Sequence, residues 1–380
     1  MKNNLSFVVV GHIYTTGPGF YLEEYLKKQK KLVFIGHPFP NTKKPSFIRI
    51  YRNGKLVKEE RFKFISQEYI SYFKDILLTI WWVNKYSRNF DYFIGFDNLN
   101  AFTGNLLKKF GAVKKTIFYT IDYIPNRFSN NILNYIYHFL DKLAVEKSNA
   151  VWNLSSIMVD EREKKGISPI YRKKQFVVPI GTILVKENNI KIDRFKIVHI
   201  GHLRKNQGLE TLIYAMKDVI KIVPNAHLCI IGGGPLEESL KNQVKKMKLG
   251  KHIEFTGFLP NYSDAEKYLE DSGIGVAPYD NNKNSFTRYT DPGKPKDYLA
   301  NGIPVVITKV PQVAYEIEKR QCGIAVEYSR KNIADAIVKI LTMPQDRYLE
   351  FRKNSIRMAK DYTWDKVFNR AFAKTFALNE

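Results

Sequence analysis

Thr290-Asp291-Pro292-Gly293-Lys294-Pro295-Lys296-Asp297-Tyr298-Leu299-Ala300-Asn301-Gly302-Ile303-Pro304-Val305-Val306 is the most informative stretch of this chain. Its Pro- and Gly-rich opening reads as a turn, and the residues after it as a short helix. Lys294 falls near the positive end of that helix, and Asp297 about one turn later. An acid there can accept hydrogen bonds from two vicinal ribose hydroxyls, while the lysine and the helix start hold phosphate. Asn301-Gly302 ends the helix in the left-handed conformation, and Pro304 leads into the buried strand that follows. Strand, turn and helix repeating in this way indicate an α/β protein with parallel sheets.

The same rhythm extends in both directions. In the second half, strands are expected at 197–200, 227–231, 253–256, 274–277, 305–307 and 323–326. Helices are expected between them at about 209–221, 236–248, 263–270, 295–300, 311–318 and 331–341. In the first half, strands fall at 7–10, 32–35, 92–96, 116–119, 150–153 and 176–178. Its helices fall at 21–30, 67–86, 100–110, 131–146 and 156–165. Asn53-Gly54 turns a hairpin between 47–51 and 56–62. Residues 181–193 are polar and without period, so a linker is expected there. Trp364, Val367, Phe368, Ala371, Phe372 and Phe376 share one face of a closing amphipathic helix. Two doubly wound Rossmann-like units joined by a linker are the expected fold class, with ligands at the carboxyl ends of the strands.

Three further stretches carry chemistry. Ile200-Gly201-His202-Leu203-Arg204-Lys205-Asn206-Gln207-Gly208 follows a strand and enters a helix. Gly201 lets the backbone turn, and Arg204 and Lys205 add cations where a diphosphate would sit; a solvated basic turn is the plain alternative. Ile230-Ile231-Gly232-Gly233-Gly234-Pro235 runs from a buried strand into three glycines. Gly233 can approach phosphate, or the glycines can simply build the turn. Phe255-Thr256-Gly257-Phe258-Leu259-Pro260 comes third.

These stretches in this order resemble the C-terminal domain of GT-B glycosyltransferases, of the large retaining group numbered family 4. That group has a G-R-L-x-x-x-K-G motif, a P-x-A-x-L-x-I-x-G-x-G-P-L turn, an F-x-G-x-L/V-P segment and an E-x7-E motif ending in A-x-G-x-P-V-V. The resemblance covers about residues 196–376. It implies an acceptor-side domain at 1–185, a nucleotide-sugar domain at 186–362, and a helix at 363–380 crossing back to the first. It implies that Phe258 and Leu259 flank the base, that Asp297 binds ribose, and that Gly293 and Lys294 contact phosphate. This chain departs from the pattern at His202 and Gln207, and Tyr289 stands where the first Glu belongs. Some members carry a D-P-x-K-x-x-E/D-Y-L-A variant, which assigns Asp291 to the donor sugar. In the first half, Gly17 and Gly19 of Gly17-Pro18-Gly19-Phe20 fall where such enzymes place a flexible glycine loop; a plain turn is the alternative. Asp122 takes the place of a cleft histidine, where it would steady an oxocarbenium-like transition state or else cap a turn. Asp97 has the same geometry with a weaker claim, and His12 and His37 read as structural histidines.

Composition narrows the classes. Sixty-one Lys and Arg against 37 Asp and Glu give a net charge of +24, with 30 basic and 15 acidic residues in 1–190. Aromatics are interleaved with the basic pairs, so anionic membrane is expected to meet this surface rather than nucleic acid, the alternative being simple solvation. Cys229 and Cys322 make neither a disulfide framework nor a zinc site. No leader precedes the first strand, and the longest apolar run, 76–83, is far shorter than the roughly 20 residues of a spanning helix. A cytoplasmic protein, peripheral on the inner face of the membrane, is expected. No Asp-x-Asp occurs, so no metal site is expected, nor any cofactor beyond a nucleotide-diphosphate sugar as co-substrate, UDP-linked rather than GDP-linked. The expected activity is retaining transfer of a hexose to a glycan or lipid-linked acceptor. A GT-B sugar-nucleotide epimerase and a non-catalytic basic binding protein are the alternatives.

Overall fold

The computed structural model describes residues 4–13, 17–39, 42, 44–64, 68–86, 88–185, 191–282 and 285–378. The chain forms two compact units, Met1–Pro179 with Asp365–Glu380, and Ile180–Trp364.

Unit 1 opens with β1 (Ser6–Ile13), α1 (Pro18–Leu26), β2 (Lys31–Pro38), β3 (Ser46–Arg52) and β4 (Lys55–Phe62). It continues with α2 (Glu68–Tyr86), β5 (Phe90–Phe96), α3 (Asp97–Lys109), β6 (Val113–Thr120) and α4 (Asn131–Lys147). β7 (Ala150–Asn153), α5 (Ile157–Lys164) and β8 (Gln175–Val177) complete its first stretch. The sheet order is β4-β3-β2-β1-β5-β6-β7-β8, parallel except for the expected hairpin β3–β4, which joins β2 antiparallel. β1 connects to β2 on one side while β5 connects to β6 on the other, so the strand order reverses between β1 and β5.

Unit 2 holds β9 (Asp193–Ile200), α6 (Leu209–Ile222), β10 (His227–Ile231), α7 (Glu237–Lys246), β11 (Ile253–Gly257) and α8 (Tyr262–Glu270). Then come β12 (Ser272–Ala277), α9 (Lys294–Ala300), β13 (Val305–Thr308), α10 (Val313–Lys319) and β14 (Gly323–Val326). α11 (Arg330–Thr342) and α12 (Gln345–Asp361) follow. Its sheet is parallel, in the order β11-β10-β9-β12-β13-β14. Neighbouring residues feed opposite faces: Ile197 and Leu228 enter one apolar cluster, Val198 and Cys229 the other. Burial on both faces is what lets parallel strands read as unbroken apolar runs. Both cysteines are buried and free.

Three expectations need correction. The units divide at Pro179/Ile180 rather than 185/186, because Ile180 N–H donates to Asp291 Oδ2 at 2.7 Å and Thr182 N–H to the Tyr362 carbonyl at 2.8 Å. They divide again at Trp364/Asp365 rather than 362/363, since the Trp364 ring lies against Gly181. α12 was not expected at all. Its buried stripe is Tyr348, Phe351, Ser355, Met358 and Ala359, too sparse in large apolar residues to give a clear helical period.

The closing helix, α13 (Trp364–Ala377), does return to unit 1. Phe372 meets Phe7 and Trp152 edge-on at 5.7 and 5.0 Å, Phe376 meets Tyr92, and Trp152 Nε1 donates to Thr375 Oγ1 at 2.9 Å.

Candidate active site

The carboxyl end of the unit 2 sheet is organised around Lys294. Its Nζ lies 2.5 Å from Gln207 Oε1, 3.2 Å from His199 Nε2 and 5.3 Å from the centre of the Tyr279 ring. His199 Nδ1 faces the Val276 carbonyl at 3.0 Å, so that nitrogen carries the hydrogen and Nε2 accepts from the lysine. Burial pushes His199 well below its usual range, with the Lys294 charge adding to the push. Burial alone pulls Lys294 down to about 7. A buried amine held only by neutral acceptors is poised to take an anion. Gly201 is part of this arrangement: its φ is +140°, and a Cβ there would lie 3.0 Å from the end of the Lys294 side chain.

The triple glycine is a packing device. The Gly201 N–H donates to the Ile231 carbonyl, and the Leu203 N–H to that of Gly233, which locks the two turns together. At Gly232, φ is +126° and a Cβ would stand 2.2 Å from the Gly201 oxygen. Gly232→Ala should therefore destabilise the protein by more than the about 1–3 kcal/mol of backbone strain alone, read as a lowered midpoint in urea. An unchanged midpoint would mean that the turns are not locked as described. Gly233 itself sits beside Phe258, whose Cβ would be 3.1 Å from a Cβ on the glycine. Phe258 is 75% exposed, while Leu259 is half-buried against the apolar cluster.

The remaining expected residues separate. Arg204 and Lys205 are exposed, Lys205 in the short 3-10 turn that carries Gln207. Asp297, half-buried, accepts from the Thr182 hydroxyl at 3.1 Å. Two first-turn amides of α9 are already used, since Lys296 and Asp297 both donate to the Gly293 carbonyl, and Pro295 has none. Gly293 has an ordinary helical backbone (φ −69°) and initiates the helix. The positive charge at the start of this seven-residue helix is therefore chiefly that of the lysine itself.

Asp291 has a structural partner that the sequence did not show. Its carboxylate pairs with Lys296 and accepts the Ile180 N–H, and both side chains are buried. Burial pushes Asp291 up and Lys296 down, and their contact opposes both shifts. Lys296 also donates to the Ile180 carbonyl at 2.7 Å and lies over the Tyr362 ring. This group is a clamp joining residue 180 to α9; both of its contacts to Asp291 fall on Oδ2, and neither uses Oδ1.

In unit 1, a cavity of about 240 Å³ lies where the strand order reverses. Gly17, Gly19, Phe20, Phe34, Phe96 and Asp122 line it. Gly17 is extended, and nothing stands within 4 Å of a Cβ there, so the space in front of it is open. Asp122 is exposed at the rim, yet partial desolvation by the wall and the nearby Asp97 carboxylate push its carboxyl up, against Arg127.

His12 also lines this cavity, and sequence alone had read it as structural. Its Nδ1 lies 2.7 Å from Asp97 Oδ2 and its Nε2 3.2 Å from Asp75 Oδ2. His199 and Tyr279 likewise escaped the sequence reading, and Gln207 was read only as a departure from the family motif; a lone histidine in the apolar strand 197–200 and that departure were the available signals.

With this geometry in place, comparison with known proteins is decisive for the second unit. Residues 182–360 match the family of Glycosyl transferases group 1. Unit 2 is a glycosyl transferases group 1 domain. Among similar chains, an uncharacterized glycosyltransferase of Haemophilus influenzae is 28% identical over 193 residues, 49% of this chain and 50% of that protein. Alpha-monoglucosyldiacylglycerol synthase of Streptococcus pneumoniae is 20% identical over 229 residues, 54% of this chain and 50% of that one. The matches thus span about half the length of these curated relatives. The solved structure of Anabaena Alr3699/HepE in complex with UDP has a TM-score of 0.70 at 13% identity, covering 98% of this chain and 100% of that chain. The group 1 domain and the unit before it thus have the GT-B fold, as the motifs implied.

Proposed function

We propose that this chain transfers a hexose, with retention, from a nucleotide-diphosphate sugar to a glycan or lipid-linked acceptor in surface polysaccharide or glycolipid assembly. The observation that carries the reading is Lys294, buried at the carboxyl end of a group 1 domain among neutral acceptors. Lys294 meets the diphosphate, Asp297 the ribose, and Phe258 and Leu259 the base. UDP is the favoured base carrier, as in the HepE complex. Asp291 is held by Lys296 and the Ile180 N–H through Oδ2, so its charge is already paired, which makes it a weak nucleophile and supports acceptor attack on the face that the diphosphate leaves. Unit 1 takes the acceptor, with Gly17, Gly19 and Asp122 at its cavity.

The test is a thermal-shift screen of UDP-, GDP- and ADP-sugars, followed by transfer assays in EDTA with diacylglycerol and glycan acceptors. A ligand that binds only the folded state raises the midpoint. No shift with any nucleotide sugar would end the reading. Donor binding should also depend on pH. The diphosphate of an intact nucleotide sugar favours the charged lysine, so binding above about pH 7 requires proton uptake. The UDP-glucose Kd should be flat well below that value and rise toward about tenfold per pH unit above it. Calorimetry in buffers of different ionisation heat reads the proton directly; a Kd independent of pH across this range would remove Lys294 from the site.

The second part of the reading is contact between unit 1 and anionic membrane. α2, α3 and α4 pack side by side. α2 leaves Phe73, Leu77 and Trp81 exposed, and α4 leaves Ile132, Tyr135, Ile136 and Phe139 exposed, each at helical spacing. Among the described residues, no helix is long and apolar enough to cross a membrane. Apolar stripes on a basic layer suit the headgroup region. Co-sedimentation with vesicles should require anionic lipid, weaken with salt, and fall when Trp81 and Tyr135 are both replaced by Ala. Equal binding to neutral and anionic vesicles would refute it.

A further inference from the structure

A buried ionic group lies beside the unit 1 cavity, centred on His12. Both ring nitrogens of His12 face carboxylates, Nδ1 that of Asp97 and Nε2 that of Asp75. Carboxylates only accept, so both nitrogens must donate, and the ring carries a proton on each. The side chains of His12 and Asp75 are 8% and 2% exposed, whereas that of Asp97 is 37% exposed.

Every element around the ring contributes. From α2, Lys74 pairs with Asp75 Oδ1 at 2.7 Å, and the Tyr72 ring meets His12 edge-on. From β2, His37 lies beside His12 in the register, with its Nδ1 3.1 Å from Asp75 and from Ser46 Oγ, and its Nε2 2.8 Å from Thr79 Oγ1. From the start of α3, Asp97 receives His12 and the Asn100 side-chain amide on Oδ2, and caps the Asn100 N–H with Oδ1. Asp97 does this with φ at +71°, a conformation that needs outside support in a non-glycine residue. Asp122, beyond β6, faces the same region and feels the Asp97 charge.

We propose that His12, held as an imidazolium between Asp75 and Asp97, is a positioning residue for sugar transfer: it fixes the Asp97 carboxylate beside the cavity as the acceptor of an incoming hydroxyl's hydrogen bond. The inference rests on the transferase reading for its substrate, but not for its ion pair. Burial and the Asp97 charge push the Asp122 carboxyl up, so Asp122, on the cavity wall, holds a proton more readily than an ordinary carboxyl. A carboxylate held next to the cavity-lining Phe96 can accept a hydrogen bond from a polyhydroxylated ligand. Burial pulls the His12 ring down, but the Asp97 charge and the hydrogen bonds to Asp75 and Asp97 reverse this and carry it to about 9. His37, equally buried and next to the His12 charge, is pushed down and stays neutral.

The test uses the full chain with carbon-13 histidine labelling, His12→Gln identifying the His12 signal. That signal should titrate near pH 9, and its midpoint should fall by more than one unit in Asp97→Asn, which keeps the hydrogen-bond geometry and removes the charge. With UDP-glucose saturating, so that Lys294 stays protonated, the transfer rate should show a descending limb near pH 9. Both variants should lose that limb and about 10²-fold in rate, the scale of a misplaced reacting group, while the UDP-glucose thermal shift persists. A His12 signal titrating at or below the ordinary histidine range overturns the proposal, as does a wild-type rate and acceptor KM in the variants. Should His12→Gln fail to fold, Asp97→Asn decides by the same readouts. If wild type shows no UDP-sugar binding or transfer at all, it is the transferase reading that fails, and the histidine titration still decides the ion pair.

Discussion

Lys294→Ala should lower kcat by about 10²- to 10³-fold, the scale of deleting one directed charge at an oxyanion. On the proposed reading the lysine meets negative charge growing on the departing diphosphate, so its loss should appear chiefly in kcat. Asp297→Asn should behave differently: ribose is held alike in ground and transition states, so the donor KM should rise with kcat little changed. The melting midpoint of Lys294→Ala should move little, because the amine is held down to about 7 by burial and gives the fold no ion pair. Near-wild-type kcat together with a lowered midpoint would retire Lys294 from catalysis and make it a residue of the helix start.

Asp291→Ala should produce the opposite pattern. It strands Lys296, which is fully buried, without its carboxylate. Breaking a buried pair on one side costs about 3–5 kcal/mol, which in a unit of this size lowers the midpoint by about 6–20 °C. Removing both charges at once, as Asp291→Leu with Lys296→Met, should recover most of that loss, because no charge is then left without its partner. The kcat of the rescued variant should stay near wild type. A rescued fold with kcat down by two orders of magnitude would return Asp291 to the sugar.

The contrast between these two acids marks the limit of what sequence could carry. Asp291 and Asp297 stand six positions apart in one motif. Residue type and spacing placed both near a phosphate site, and for Lys294 they located the centre of the group. What decides their roles is the partner brought from elsewhere in the chain. Ile180 and Lys296 claim Asp291, and the Thr182 hydroxyl reaches Asp297, contacts that no local pattern encodes. His12 went the same way: its partners, Asp75 and Asp97, are 63 and 85 residues distant. Strands were the most legible elements, because burial on both faces leaves an unbroken apolar run. α12 was the least, because its buried side includes Ser355 and Ala359, which carry little apolar signal.

Because α13 completes the core of unit 1 with residues made after the whole of unit 2, the order of synthesis is not the order of folding. When Pro179 leaves the ribosome, the faces of Phe7, Tyr92 and Trp152 that will meet Phe372 and Phe376 are still open. At about 5–20 residues per second, that apolar surface waits roughly 10–40 s while unit 2 emerges. Unit 2 is continuous in sequence and can close first. The first half of the nascent chain is therefore the part that needs chaperone shelter, and premature termination anywhere before Phe372 yields a fragment with a permanently sticky flank.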